Sequence, residues 1–189
     1  MNAEPKQRIP ARAALLAMLA FASGAVADEV YFSVKGSSGA LIQGEVTTTP
    51  VLAGKMRALK VTHQVNQPVD ALTGMPTGRI VHGPVRITRE RGRASPRLLQ
   101  AFLQNEVLPE VVIEYWVMRK TVSTINQYQI VKLKNARIVK IEHAAEQAAG
   151  QPAGQLGSIE SVEFTYSTIE YTDIESGNTT TGTQTAISR

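Results

Sequence analysis

Apolar and polar residues alternate along most of the chain, and this two-residue period predicts β-strands. Gly83-Pro84 interrupts one of these runs, and Asn135 marks a bend in another, which is either one bent strand or two. Ser176–Arg189 is rich in Thr, Gly and Ser and forms either a weak strand or a loose tail. The predicted strands are Val30–Val34, Arg57–Val65, Arg79–Thr88, Glu110–Met118, Gln127–Ile141 and Ser158–Asp173.

Helical spacing of apolar residues occurs in the stretch that follows Ser95-Pro96. Ser95-Pro96 provides a hydroxyl that can accept from a free amide, followed by a ring suited to the first helical turn. The apolar residues that follow recur on one face and form the predicted core face of a helix of about ten residues. One helix among many strands favours a mainly β fold, a barrel with a helical plug or cap. The predicted core face consists of Leu98, Leu99, Phe102 and Leu103.

A long connection, Gln67–Gly78, separates two predicted strands. It contains two prolines and two glycines, and loops of this length are often functional. Leu72 and Met75 are apolar residues within it. Two interpretations are open at this point: the loop offers an apolar surface to a partner, or it folds back on its own domain.

The amino terminus has the pattern of a secretory signal peptide. Basic residues precede Ala13–Ala22, an apolar segment too short to span a bilayer, and small residues at Ala25 and Ala27 form the predicted cleavage pattern before Asp28. A misplaced start codon or an uncleaved leader are the alternatives. The predicted organisation is a signal peptide over 1–27, a β domain over 28–175 and a flexible tail over 176–189. No other stretch is apolar enough for stable membrane insertion.

Catalytic and metal-binding patterns are missing from the 189-residue sequence. The chain has no cysteine, which excludes a thiol nucleophile and an iron–sulfur site. Its three histidines, His63, His82 and His143, lack metal-ligand spacing. We therefore expect no catalytic residues, no metal and no cofactor, and favour a binding or assembly module over an enzyme.

Positive charge does not point to nucleic acid. The formal net charge is +4, and the first 27 residues hold half of it. The densest basic cluster lies around the turn before the helix, without the interleaved aromatic residues of a nucleic-acid surface. A solvated turn, or charge that faces a neighbouring subunit, is the favoured interpretation. The cluster consists of Arg86, Arg89, Arg91, Arg93 and Arg97.

Several motifs, taken in order, resemble the haemolysin-coregulated protein (Hcp) family of type VI secretion systems. The resemblance extends from about Val30 to Tyr171. Each motif alone is weak, but their order and spacing together are fairly specific. The motifs are GALIQGE (Gly39–Glu45), HQVNQP (His63–Pro68), GRIVHGPVRITRE (Gly78–Glu90), ASP (Ala94–Pro96), YQIVKLKNARI (Tyr128–Ile138) and ESVEFTYSTIEY (Glu160–Tyr171).

The resemblance implies a β-barrel of two packed sheets with one flanking helix, assembled into homohexameric rings that stack into a hollow tube. A contracting sheath expels such tubes, a spike protein caps them, and effectors ride in the lumen. The long loop of the family reaches the neighbouring ring. This assigns ring stacking to Leu72, Thr73, Gly74, Met75 and Gly78, and implies that the protein is secreted.

Two features depart from the family pattern. Arg91-Gly92-Arg93 stands where members usually carry an acidic residue, which affects the expected ring or stack geometry. Members also lack a signal peptide because they assemble in the cytoplasm and leave through their own machine. The alternative function is therefore a Sec-exported periplasmic or extracellular binding protein that uses the same fold outside a contractile tube.

Overall fold

A computed structural model of the protein describes residues 27–47, 49–119, 124–146 and 157–184. These ranges are mainly strand, and their one α-helix, α1, spans Ser95–Leu103. A 3-10 turn covers Pro50–Leu52. The prediction of a mainly β chain with one short helix is confirmed. The strands are β1 Ala27–Lys35, β2 Met56–Ala58, β3 Lys60–Thr62, β4 Val65–Asn66, β5 Val81–His82, β6 Val85–Glu90, β7 Leu108–Arg119, β8 Thr124–Glu146, β9 Gly157–Thr165, β10 Thr168–Asp173 and β11 Thr179–Thr183.

Nine of the described strands form one antiparallel sheet in the order β2-β1-β7-β8-β9-β6-β3, with β10 joining β8 to β11. The sheet is not a closed barrel, since its path ends at β2 and β3. These two strands are nevertheless consecutive in the chain. β2 pairs with β1, Leu59 N donates to Thr88 O at 2.8 Å, and β3 pairs with β6. The two ends of the sheet therefore adjoin through Leu59.

This change of partner corrects the predicted strand Arg57–Val65. The segment was expected to keep one apolar face containing Leu59 and Val65, but both side chains are exposed, whereas Met56 and Ala58 are buried. The kink at Leu59 breaks the two-residue alternation, because the strand leaves β1 and joins β6 there.

Strand β8 pairs with two different strands along its length. Up to Lys134 it pairs with β10, and from Arg137 it pairs with β9. Asn135 lies between these segments with a φ of 49°, a left-handed conformation that asparagine tolerates better than most residues. The predicted bend at Asn135 is confirmed, and the run is one strand. The strand continues beyond the predicted end at Ile141 to Glu146.

Helix α1 covers the core with Leu98 and Ala101, while Phe102 packs at its margin and Leu99 is half-buried. The prediction for Leu103 is wrong, because 73% of this residue is exposed. At 3.6 residues per turn, Leu103 lies about 140° around the helix from Leu98.

The amino-terminal cap of α1 also differs from the prediction. Ala94 occupies the cap position without a side-chain hydrogen bond. The Ser95 hydroxyl instead accepts from Gly92 N at 3.1 Å and donates to Glu160 Oε1 at 3.0 Å. Pro96 lies in the first turn, as expected. The serine therefore joins the helix to β9 rather than closing its first turn.

The chain ends fall partly outside the described residues. Residues 1–26, which include Ala25, lie outside the described residues. The signal peptide therefore stays a prediction. Ala27 is the first residue of β1 and pairs with Met118. Of the two alternatives for the carboxyl end, the structure has the strand, because β11 pairs with β10 over Thr179–Thr183. A flexible tail is therefore excluded for that segment.

Candidate assembly surface

The long predicted loop is an ordered hairpin, which we call the arm (residues 65–82). Its base is the two-stranded ladder of β4 and β5, in which Val65 pairs with His82. An isolated bridge joins Val69 to Pro76, and Thr77 N donates to Pro68 O at 2.8 Å. Backbone hydrogen bonds thus run along the arm towards its tip, and define its shape without a partner.

Asp70 organises the tip of the arm. Its Oδ1 accepts hydrogen bonds from Leu72 N at 2.9 Å and from Thr73 N at 2.7 Å, and Thr73 Oγ1 donates to it at 3.0 Å. Gly74 N donates to Asp70 O and Gly74 has a φ of 67°, a conformation that glycine adopts without strain. The hydrogen bonds from Thr73 and then Leu72 lower the pKa of Asp70.

Apolar side chains of the arm point into solvent. Leu72 is 96% exposed and Met75 is 67% exposed. Val69, Ile80 and Val81 are also exposed. Contiguous exposed apolar residues on a soluble domain mark an interaction surface. The structure places all five predicted loop residues on the arm, with Leu72, Thr73, Gly74 and Met75 at or beside its tip and Gly78 on the returning segment.

The arm meets the rest of the molecule at four aromatic side chains, which we call the foot cluster: His63, His82, Tyr166 and Tyr171. His63 Nδ1 lies 2.7 Å from Tyr171 Oη, and His63 Nε2 lies 2.6 Å from Tyr166 Oη. Tyr166 Oη also lies 3.3 Å from His82 Nδ1. The two imidazole rings stack with their centroids 6.0 Å apart. The cluster joins the arm to Tyr171 in β10 and to Tyr166 in the turn between β9 and β10.

Burial of the foot cluster disfavours charge. Desolvation, followed by the neighbouring His82, lowers the pKa of His63. Desolvation, followed by Tyr171, raises the pKa of Tyr166, and burial raises the pKa of Tyr171. At neutral pH His63 is therefore uncharged and both tyrosines are protonated, and each tyrosine hydroxyl hydrogen-bonds to the His63 ring. The spacing of the histidines along the chain does not indicate these partners of His63.

The predicted basic cluster is dispersed in the structure. Arg89 is completely buried between Glu160, whose Oε1 lies 2.8 Å from Arg89 Nη1, and Glu45. Arg86 pairs with Glu163 on the adjacent strand β9 and with Glu142 on β8, and Arg97 pairs with Glu106. These three arginines are therefore not a free basic surface, and the interpretation of the whole cluster as a solvated turn is wrong for Arg89.

Within the described ranges, no group of three or more His, Cys, Asp or Glu side chains is arranged to hold a metal ion. His143 lies apart from the foot cluster, with Nε2 at 3.5 Å from Glu160 Oε2. Helix α1 has nine residues and is too short to cross a bilayer, and the described part of the chain contains no longer helix.

Comparison with known proteins identifies the family. A sequence model described as type VI secretion system effector, Hcp, matches residues 31–172. The chain belongs to the Hcp family. The major exported protein of Pseudomonas aeruginosa is an Hcp-like relative that is 30% identical over 160 residues, which are 80% of this chain and 92% of that protein. The family inferred from the ordered motifs is thereby confirmed.

Solved Hcp structures share the fold. The Hcp1 protein from the E. coli EAEC 042 pathovar superposes with a TM-score of 0.73 at 24% identity, over 83% of this chain and 99% of that one. Secreted protein Hcp3 from Pseudomonas aeruginosa gives a TM-score of 0.65 at 24% identity, over 85% and 100% of the two chains. The described strands and helix α1 therefore have the fold of these Hcp structures.

Proposed function

We propose that copies of this chain assemble into homohexameric rings, and that the rings stack into the hollow tube of a type VI secretion system. The observation that carries this proposal is the arm, whose tip is held by Asp70 while Leu72 and Met75 are left in solvent. An apolar tip on a preformed hairpin loses little conformational freedom when a second copy covers it.

Head-to-tail contact accounts for an open-ended assembly. A projection on one end of a subunit that fits the other end of the next subunit is a heterologous contact, and such contacts propagate without closing. Neighbouring copies in a ring would also cover strand edges such as β11, which has a pairing partner on one side among the described residues.

The tube works through its shape and carries no catalysis or cofactor. Effectors occupy its lumen, a sheath surrounds it and a spike-tip protein caps it, as the family resemblance implies. The tube protein is secreted to the cell exterior, and this function involves neither nucleic acid nor stable membrane insertion. The family membership and the absence of a catalytic motif in the sequence support this assignment.

The amino-terminal sequence favours a second candidate function. A basic segment, an apolar segment and Ala25-Val26-Ala27 precede Asp28, which is the pattern of a Sec signal. A protein processed there would enter the periplasm and act as an Hcp-like binding protein outside a contractile tube. Sequencing of the exported protein separates the candidates: an amino terminus at Asp28 supports Sec export, and an unprocessed start supports the tube.

Electron microscopy of the purified protein tests the tube. The wild type is expected to form rings and, at high concentration, stacks of rings, whereas Leu72→Asp should retain the rings and lose the stacks because a charge cannot be buried without a partner. Leu103→Asp is the matched control, since Leu103 is an exposed leucine outside the arm. A folded wild type that stays monomeric at high concentration contradicts the proposal.

A further inference from the structure

A cavity of about 290 Å³ lies beside the turn that precedes α1. Its wall is formed by the loop after β1, including Leu41 and Ile42, and by Arg93, Ala94 and Arg97. This volume is near the lower end of the ~300–1,000 Å³ range of small-ligand sites. It suits one or two protein side chains better than a large ligand.

The cavity and the arm lie at opposite ends of the same strands. β3 and β6 pair from Lys60 with Thr88 to Thr62 with Arg86. The arm leaves the sheet after Thr62 and returns just before β6 begins, whereas the cavity lies beyond the last residue of β6, at Arg93. A subunit therefore presents a projection at one end of this strand pair and a recess at the other.

The chemistry of the recess complements that of the arm tip. Leu41 gives it an apolar surface, since about half of this residue is exposed. Arg97 is engaged by Glu106, at 2.7 Å between Nη1 and Oε2, whereas the ion pairs found within the described residues include none to Arg93.

The arm tip presents the matching groups. Leu72 and Met75 are its exposed apolar side chains, and Asp70 is the one acidic residue of the arm. The hydrogen bonds to Asp70 Oδ1 hold its pKa below the usual value, so the carboxylate is charged at neutral pH. Arg79, the basic residue of the arm, lies on its returning segment.

We propose that the arm tip of one copy seats in this cavity of a second copy, with Leu72 against Leu41 and Asp70 beside Arg93. The proposal rests on the proposed function and names the surface that receives the arm. Because the arm and the cavity lie at opposite ends of the β3–β6 strand pair, each docked copy leaves another arm and another cavity free, and stacking continues. Arg93, which belongs to the stretch where this chain departs from its family, then contributes directly to the contact.

Cysteine cross-linking tests the pairing directly, because the chain has no cysteine of its own. Leu72→Cys and Leu41→Cys proteins, mixed at a concentration where rings stack and treated with a short bismaleimide, should give a covalent dimer containing one copy of each. Leu72→Cys mixed with Leu103→Cys is the control and should give a cross-link yield lower by about tenfold or more, since proximity raises effective concentration.

Charge reversal gives an independent measurement that leaves the arm unchanged. Arg93→Glu places a like charge beside Asp70 and should raise the concentration needed for stacking by more than about tenfold. Arg91→Glu is the matched control: Arg91 is an exposed arginine two residues away that does not line the cavity. Its effect should be less than about twofold, as expected for a charge outside the contact.

The outcomes separate this inference from the proposed function. A wild type that forms neither rings nor stacks overturns the function itself. Stacks that are lost in Leu72→Asp but persist in Arg93→Glu, with no cross-link between positions 72 and 41, overturn only the docking site and place the arm elsewhere on the second copy. A cross-link together with Arg93-dependent stacking supports both.

Discussion

Leu98 and Leu72 show how differently the body and the arm use the same side chain. Leu98 is fully buried in the core beneath α1, whereas Leu72 is almost fully exposed. Helical spacing turns Leu98 inward, and the Asp70 turn holds the backbone of the tip while leaving Leu72 outside. The body buries its apolar residues within one chain, whereas the arm leaves Leu72 and Met75 in solvent.

The body and the arm also differ in the kind of polar contact that each contains. In the body, Arg89 and Glu160 are buried and bind each other, so the charges are compensated inside the chain. At the foot of the arm, His63 is half-buried and its ring atoms contact the hydroxyls of Tyr166 and Tyr171. The body therefore depends on a buried ion pair, whereas the orientation of the arm depends on uncharged hydrogen bonds.

The largest effect is expected from breaking the buried ion pair. Arg89→Met should lower the free energy of unfolding by about 3–5 kcal/mol, because Glu160 would remain buried without its cation. Chemical denaturation measures this change. Arg91→Met, at an exposed position of the same basic stretch, should change the free energy by less than about 0.5 kcal/mol. Equal effects of the two substitutions would contradict the burial of Arg89.

A smaller effect separates the two leucines. Leu98→Ala should lower the free energy of unfolding by about 2–5 kcal/mol, because it removes buried methyl groups and leaves a cavity. Leu72→Ala should leave the unfolding of the isolated subunit within about 0.5 kcal/mol of the wild type. The comparison uses denaturation at a concentration below ring stacking. A large loss in Leu72→Ala would show that the arm packs on its own subunit.

Local periodicity explains which parts of the fold could be predicted. Alternation identified β7 and β9, and helical spacing identified α1, because each pattern lies within one element. The same reasoning failed at Leu59, where the strand changes partner, and at Leu103, which ends the helix. Leu103 lies about 140° around the helix from Leu98 and outside its buried face, whereas the error at Leu59 concerns a tertiary contact that spacing alone does not specify. Arg89 was misplaced for the same reason, since its partners Glu45 and Glu160 are distant in sequence.

The candidate site was predicted only in part. The length of the loop and its apolar residues indicated a surface awaiting a partner, but the order of the arm comes from the specific hydrogen bonds of Asp70. The foot cluster had no signal in the sequence, because His63 is more than 100 residues from Tyr166 and Tyr171. Such contacts follow from the pairing of β8 with β9 and β10, which the alternation does not define.

The least disruptive change acts on the foot cluster through pH. The groups around His63 are Tyr166, Tyr171 and His82, together with the ion-paired Arg86 and Glu163 that line a neighbouring cavity with it. Burial and His82 hold the pKa of His63 below 6.5 in the folded protein. His63 therefore binds a proton more readily in the state in which the arm is detached from the foot cluster. The contact between the arm and its own subunit is therefore at full strength above about pH 6.5. It weakens as the pH falls towards the pKa of His63 in the folded protein.

Amide hydrogen exchange at Asn66 and Val81, between pH 7.5 and pH 5 and corrected for intrinsic rates, measures this weakening. These amides should lose protection on acidification while the core strands keep theirs. His63→Gln should remove the pH dependence, because glutamine does not titrate in this range, whereas His143→Gln, beside Glu160 and outside the foot cluster, should retain it. Protection that is unchanged across this range would show that the tyrosine contacts hold the arm equally well when His63 is charged.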